Sequence, residues 1–189
     1  RLIVSPNRII YKPKFSSSAM PERYLVVDRL KLSYEGLFNA DELYSIIAQF
    51  FYDKGWDWYE KMNQTVVTPS GKQVSIIFEP WKNISDYHKL AVAIKLHIIN
   101  LKDVEVEHEG KTIRTNQGVI RMIFDGYVVS DRKGKWSEKP LYWFASIIFE
   151  KYFFRSHYQK AEAWIKSDLE DLHQQIKTYL NSFKYASGR

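Results

Sequence analysis

The apolar residues of this chain change their period once, and that change constrains the fold more than any other feature. From Tyr87 to Asp131 they recur mostly at every second position, as in Leu90, Val92, Ile94, Leu96 and Ile98. Beyond Pro140 they switch to helical spacing through Leu141, Phe144 and Ile148, and on to Phe183. A period of two marks half-buried strands, and a period of 3.6 marks amphipathic helices. Strands in succession, joined by turns and not by helical crossovers, make an antiparallel meander. The expected class is therefore α+β: a β-meander with one helix after the first strand and a long C-terminal helical segment packed on the sheet.

The elements follow from local chemistry. Residues 1–22 read as a basic extended arm, and residues 23–189 as a single α+β domain. Leu30, Leu32 and Tyr34 alternate with Arg29, Lys31 and Ser33 in a first strand that Gly36 is expected to close. Asn39 is a strong N-cap, with Glu42 three positions on completing a capping box. Leu43, Ile46, Ile47, Phe50 and Phe51 then form one helical stripe, ended by Gly55 as a C′ residue. Trp56–Val67 reads as a mixed strand, Thr68–Lys72 as a hairpin turn, and Gln73–Phe78 as the return strand. Trp81–Asp86 is expected to be a connection.

The long strand from Tyr87 to Asn100 continues through Val104 and Val106, and a turn at Glu109–Lys111 leads to Thr112–Arg114. A further strand is expected from Val119 to Ser130. Pro140 suits a first helical position, and Leu141–Phe154 should be a largely buried helix. A break is expected near Ser156-His157. After it, Ile165, Leu169, Leu172, Ile176, Tyr179 and Phe183 form a heptad seam. That seam packs either on the domain's own sheet or on a second copy, in a homodimer made through Ile165, Leu169, Leu172 and Ile176.

Composition removes whole classes of function. The 189 residues contain no Cys, which excludes disulfides, thiolate catalysis and Cys-based zinc sites. This suits a reducing compartment, and a cytoplasmic location is the expectation. The longest apolar run, Leu141 to Phe149, falls short of the ~20 residues a membrane span needs. The chain starts on Arg1, and Met20-Pro21-Glu22 reads as a natural start, so the arm is native, a leader or an added extension. Of the net charge of +6, the five basic side chains of residues 1–23 against Glu22 alone account for +4, leaving +2 for the rest. A basic arm of this kind gains affinity for a nucleic-acid backbone by releasing counterions.

No phosphate loop, His-Glu-x-x-His or nucleophile elbow is present, and no cofactor is implied. His97 and His108 are placed to approach across a hairpin with Glu107 or Glu109, but without a third ligand at fixed spacing no metal site is assigned. Among the acids Asp53, Asp57, Glu60, Glu79, Asp125 and Asp131, the ones flanked by rings are Glu79, beside Phe78 and Trp81, and Asp125, between Phe124 and Tyr127. An enzyme working through Glu79 or Asp125 ranks third, and no catalytic residue is assigned.

Aromatic residues reach 16%, more than a core of this size needs. On a strand, Trp56 and Trp58 share one face and Asp57 and Tyr59 the other; Trp56, Trp58 and Tyr59 are candidate contacts for a ligand or partner, with a core role as the alternative. Arg132, Lys133, Lys135 and Trp136 form a basic turn with an interleaved ring, suited to phosphates and a stacked base. With Arg1, Arg8, Lys12 and Lys14 of the arm they make a candidate nucleic-acid interface. The leading expectation is a non-enzymatic binding protein docking on RNA or a ribonucleoprotein such as the ribosome.

The order strand, helix, meander, C-terminal helix over roughly residues 23–185 resembles the helix-grip arrangement of START and Bet v 1-like domains. The resemblance rests on element order, and no residue is carried over from it. It implies a cavity between sheet and helix that takes a small hydrophobic ligand or lipid, which is the alternative function.

Overall fold

The structure, a computed structural model, describes residues 23–85, 88–108, 111–129 and 155–186. Strand β1 (Arg23–Phe38) leads to helix α1 (Ala40–Asp53), then β2 (Glu60–Thr68), β3 (Gly71–Phe78), β4 (Trp81–Asn83), β5 (Lys89–His108), β6 (Lys111–Val129) and helix α2 (Arg155–Ala186). The described strands form one antiparallel sheet in the order β1-β6-β5-β3-β2, with β4 also paired to β5. The α+β class, the helix after the first strand and the C-terminal helix on the sheet all stand as the periodicity implied.

The cap chemistry of α1 matches the sequence closely. The Asn39 side chain accepts from the N–H groups of Asp41 and Glu42 at 3.1 and 3.2 Å. The other half of the box goes elsewhere, because the Asn39 N–H donates to the Tyr179 hydroxyl at 3.2 Å. At the far end Gly55 takes φ +70, its N–H donates to the Tyr52 carbonyl, and the Trp56 N–H donates to that of Phe51. These two bonds are a Schellman motif, and the Trp56 ring seals it edge-on against Phe51 at 5.5 Å.

One face of the sheet takes both helices. Leu32, Ile94, Leu96, Phe124 and Met122 point inward, all 6% exposed or less. Against them lie Leu43, Ile47 and Phe51 of α1, and Ile165, Leu169, Leu172, Ile176 and Leu180 of α2. Gly126 lets α2 come close: a Cβ there would lie 3.1 Å from Leu169 Cδ1 and 3.3 Å from Ile165 Cδ1. The heptad seam is therefore covered by the protein's own sheet. Ile165, Leu172 and Ile176 are 0% exposed and Leu169 1%, so the homodimer expected through them would require α2 to leave the core.

Several expected boundaries move. Strand β1 runs on through Gly36, at φ +150, to Phe38, because β6 supplies partners as far as Asn116. Strand β2 starts at Glu60 and not at Trp56. Trp81–Asn83 is a strand, not part of a connection, since β4 continues the edge of β5 that β3 vacates at Pro80. The two strands expected at 112–114 and 119–130 are one, β6, paired with β5 along nearly its whole length. Ser156-His157, where a break is expected, are helical within the described span Arg155–Ala186 of α2. The helix expected at 141–154 lies outside the described residues.

Candidate functional site

The sheet face opposite the helices holds the candidate site, and the pairing register builds it row by row. Trp81 of β4 pairs with Ala91 of β5, which pairs with Tyr127 of β6. Two residues along, Ala93 pairs with Asp125, and Glu79 stands on the other side of β5 at the same level, between the Phe78–Ile94 and Trp81–Ala91 pairs. Two residues the other way, Lys89 pairs with Val129, which pairs with Arg23. Small side chains at Ala91 and Ala93 thus lie among large ones. The result is a cleft of about 370 Å³ lined by Arg23, Tyr59, Glu79, Trp81, Lys89, Ala91, Ala93, Tyr127 and Val129.

Trp56–Tyr59 feeds this cleft as its alternation implied. Its backbone pairs with the Glu79–Trp81 segment: the Asp57 N–H donates to the Trp81 carbonyl, and the Glu79 N–H donates to the Tyr59 carbonyl, both at 2.8 Å. The two faces of that segment diverge. Trp56 is 4% exposed and Trp58 packs against the core, 4.8 Å from the Phe78 ring. Neither offers the open contact face expected of it. The Trp56 Nε1–H donates to Asp168 at 3.1 Å, and Asp168 with Asp171 also holds the Lys54 ammonium at 2.8 Å each. Those carboxylates hold Lys54 above its ordinary pKa, so Trp56 and Lys54 pin the end of α1 to α2. Tyr59, on the other face, is 52% exposed and lines the cleft.

The charges of the cleft are partly paired. Glu79 accepts from Lys61 at 2.8 Å. Asp125, 5% exposed, accepts from the Arg29 N–H at 2.9 Å and lies 3.5 Å from Lys95. Lys89 places its ammonium 5.1 Å from the centre of the Trp81 ring, a cation–π contact. Burial, together with Asp125, pushes the Tyr127 phenol above its usual range, while Arg23 pulls it back. Arg23 and Lys89 stand at one end of the cleft. Lys31 and Arg121 extend the same face beyond it, in register with Ile123 and Ser33.

A second, larger cleft of about 550 Å³ lies between the start of α1 and the β5–β6 arm. Two of its three acids are engaged: Asp103 accepts from Lys72 and Asn116, and Glu105 from Arg114. The expected His97–His108 pairing does not form. Both residues lie on β5, eleven positions or roughly 36 Å apart, and His97 Nδ1 is 3.0 Å from the Ser75 hydroxyl. Among the described residues no cluster of three metal-ligating side chains occurs. The described residues also hold no helix long and apolar enough to cross a membrane.

No family model, curated protein or solved structure matches this chain. Arg1, Arg8, Lys12, Lys14, Arg132, Lys133, Lys135 and Trp136 lie outside the described residues. Their nearest described neighbours, however, line the cleft: Arg23 follows the arm directly, and Val129 precedes Arg132 by three positions. Sequence reasoning missed Trp81, Tyr127, Lys89 and Arg23 as one group. The signal was there in Ala91 and Ala93, two small residues in succession on one face of an otherwise bulky strand.

Proposed function

We propose that the protein is a non-enzymatic binder of single-stranded RNA, free or within a ribonucleoprotein such as the ribosome, with the helix-free face of its sheet as the contact surface. One observation carries the reading. Arg23 pairs with Val129 at the rim of a cleft walled by Tyr59, Trp81 and Tyr127. The basic arm and the Arg132–Trp136 stretch therefore both join the sheet at the corner where stacking rings and cations already meet. Exposed rings stack bases of any identity, while Lys and Arg track the phosphates.

The test is fluorescence anisotropy with a labelled single-stranded RNA across a salt series. Affinity is expected to fall with log salt, with a slope of about −0.7 per phosphate contact, and removal of residues 1–22 should make that slope shallower. Trp81→Ala and Tyr127→Ala should each weaken binding by roughly 5- to 150-fold. Absent binding, salt-insensitive binding, or binding indifferent to both ring variants overturns the proposal. An apolar molecule extracted from the purified protein would instead favour the helix-grip alternative.

A further inference from the structure

We infer that the Trp81–Tyr127 slot accepts a single nucleobase, and that its chemistry selects guanine. The inference rests on the RNA-binding reading for the class of ligand and goes beyond it in assigning a base-specific site. Trp81 and Tyr127 flank Ala91 in one row of the sheet. Two strand spacings separate their backbones by about 9.5 Å. Two offset stacking contacts of ~4.5–5 Å each fill that width. One planar ring is therefore accommodated over the Ala91 methyl when the Lys89 ammonium, 5.1 Å from the Trp81 ring centre, swings off that ring to the nucleotide's phosphate.

The two ends of the slot differ in the groups they offer: donors alone at one, and a carboxylate, ion-paired with Lys61, at the other. Arg23 and Lys89 stand at one end and Glu79 at the other. From Lys89 to the level of Glu79, opposite Ala93, is four residues of β5, or about 13 Å. That is the scale of a nucleoside monophosphate from phosphate to the far edge of the base. A phosphate against Arg23 and Lys89 therefore puts the base edge at the Glu79 carboxylate.

A carboxylate offers acceptors only. Guanine alone among the four bases presents two adjacent parallel donors, N1–H and the N2 amino group, that match its two oxygens. Adenine and cytosine set an acceptor nitrogen beside their amino group, and uracil flanks its single N–H with two carbonyls. Each of these leaves one carboxylate oxygen facing a lone pair. Lys61, 2.8 Å from Glu79 Oε1, takes only part of the carboxylate's acceptor capacity and leaves the rest for a base edge.

Calorimetric titration of the full chain with the four ribonucleoside 5′-monophosphates and inosine 5′-monophosphate tests the inference. The guanine nucleotide should bind roughly ten-fold or more tightly than the other three, with inosine, which lacks the amino group, in between. Glu79→Gln should abolish the preference, and Lys61→Met, which breaks the same ion pair, should keep it. Ala91→Leu, its fold checked by circular dichroism, should block the slot and remove nucleotide binding. Equal affinity for all nucleotides, or a guanine preference that survives Glu79→Gln, overturns the inference. If RNA oligomers still bind with the expected salt slope in that case, the sheet-face reading stands alone. Guanine-nucleotide binding with no oligomer binding would leave the slot and remove the sheet-face reading.

Discussion

Tyr179 shows how one hydroxyl can replace a local motif. It accepts the Asn39 N–H, and it lies 3.0 Å from the Asn39 carbonyl and 3.1 Å from a Glu42 carboxylate oxygen, either of which can take its proton. Burial is the main reason its pKa is raised from 10.0, and Glu42 adds to it while the Asn39 backbone bond opposes. The folded state thus keeps the phenol proton to higher pH than the unfolded chain does. The contribution is whole below pH 10 and is lost as pH rises above it. Tyr179→Phe should cost about 1–2 kcal/mol at neutral pH, since it strands the Asn39 N–H. The gap between wild type and variant, read from urea midpoints, should narrow at about pH 11; a constant gap would show that the proton plays no part. The sequence offered Asn39 and Glu42 as a box but gave no sign of Tyr179, because a contact across 140 positions leaves no local pattern. The site behaves likewise. Alternation paired Trp56 with Trp58 and Tyr59 with Asp57, yet which pair meets the core is decided by Phe51 and Phe78, not by the segment itself.

Among the elements, α2 carries the sharpest prediction. Its seam of Ile165, Leu169, Leu172 and Ile176 is buried on β1, β6 and β5. Leu172→Ala should therefore destabilise by about 2–5 kcal/mol, with the wild-type melting temperature independent of protein concentration. A midpoint that rises with concentration would mean that the seam is shared between copies. The seam was legible as a 4-3 spacing, and α1 as a capped stripe, because helices advertise their buried face locally. The long strands were legible for the same reason. What escaped were features set by neighbours: β4 is only three residues, made a strand by the free edge of β5. Strand β6 continues through Gly118 because β5 pairs on both sides of it, resuming at Lys102–Gln117 after a bulge at Asn100. A glycine reads as a stop when the partner strand is unseen.

For the whole molecule, the governing fact is that β6 lies between β1 and β5. The bond from the Arg29 N–H to Asp125 spans 96 positions, and that from His173 to the Lys31 carbonyl spans 142. Contacts at such separation slow folding, so refolding followed by stopped-flow Trp fluorescence should fall in the millisecond-to-second range typical of non-local sheets. A microsecond phase carrying the full amplitude would contradict that. Strand order also has a meaning during synthesis. Among the described strands the last to leave the translating machinery is the one that joins the two halves of the sheet. Until it arrives, β1 and β5 each present an unpaired edge to whatever is nearby. A chain halted before Lys111 would thus hold two templates for aggregation and lack the strand that closes both, which makes the middle of the sheet, and not its rim, the point where an unfinished copy betrays itself.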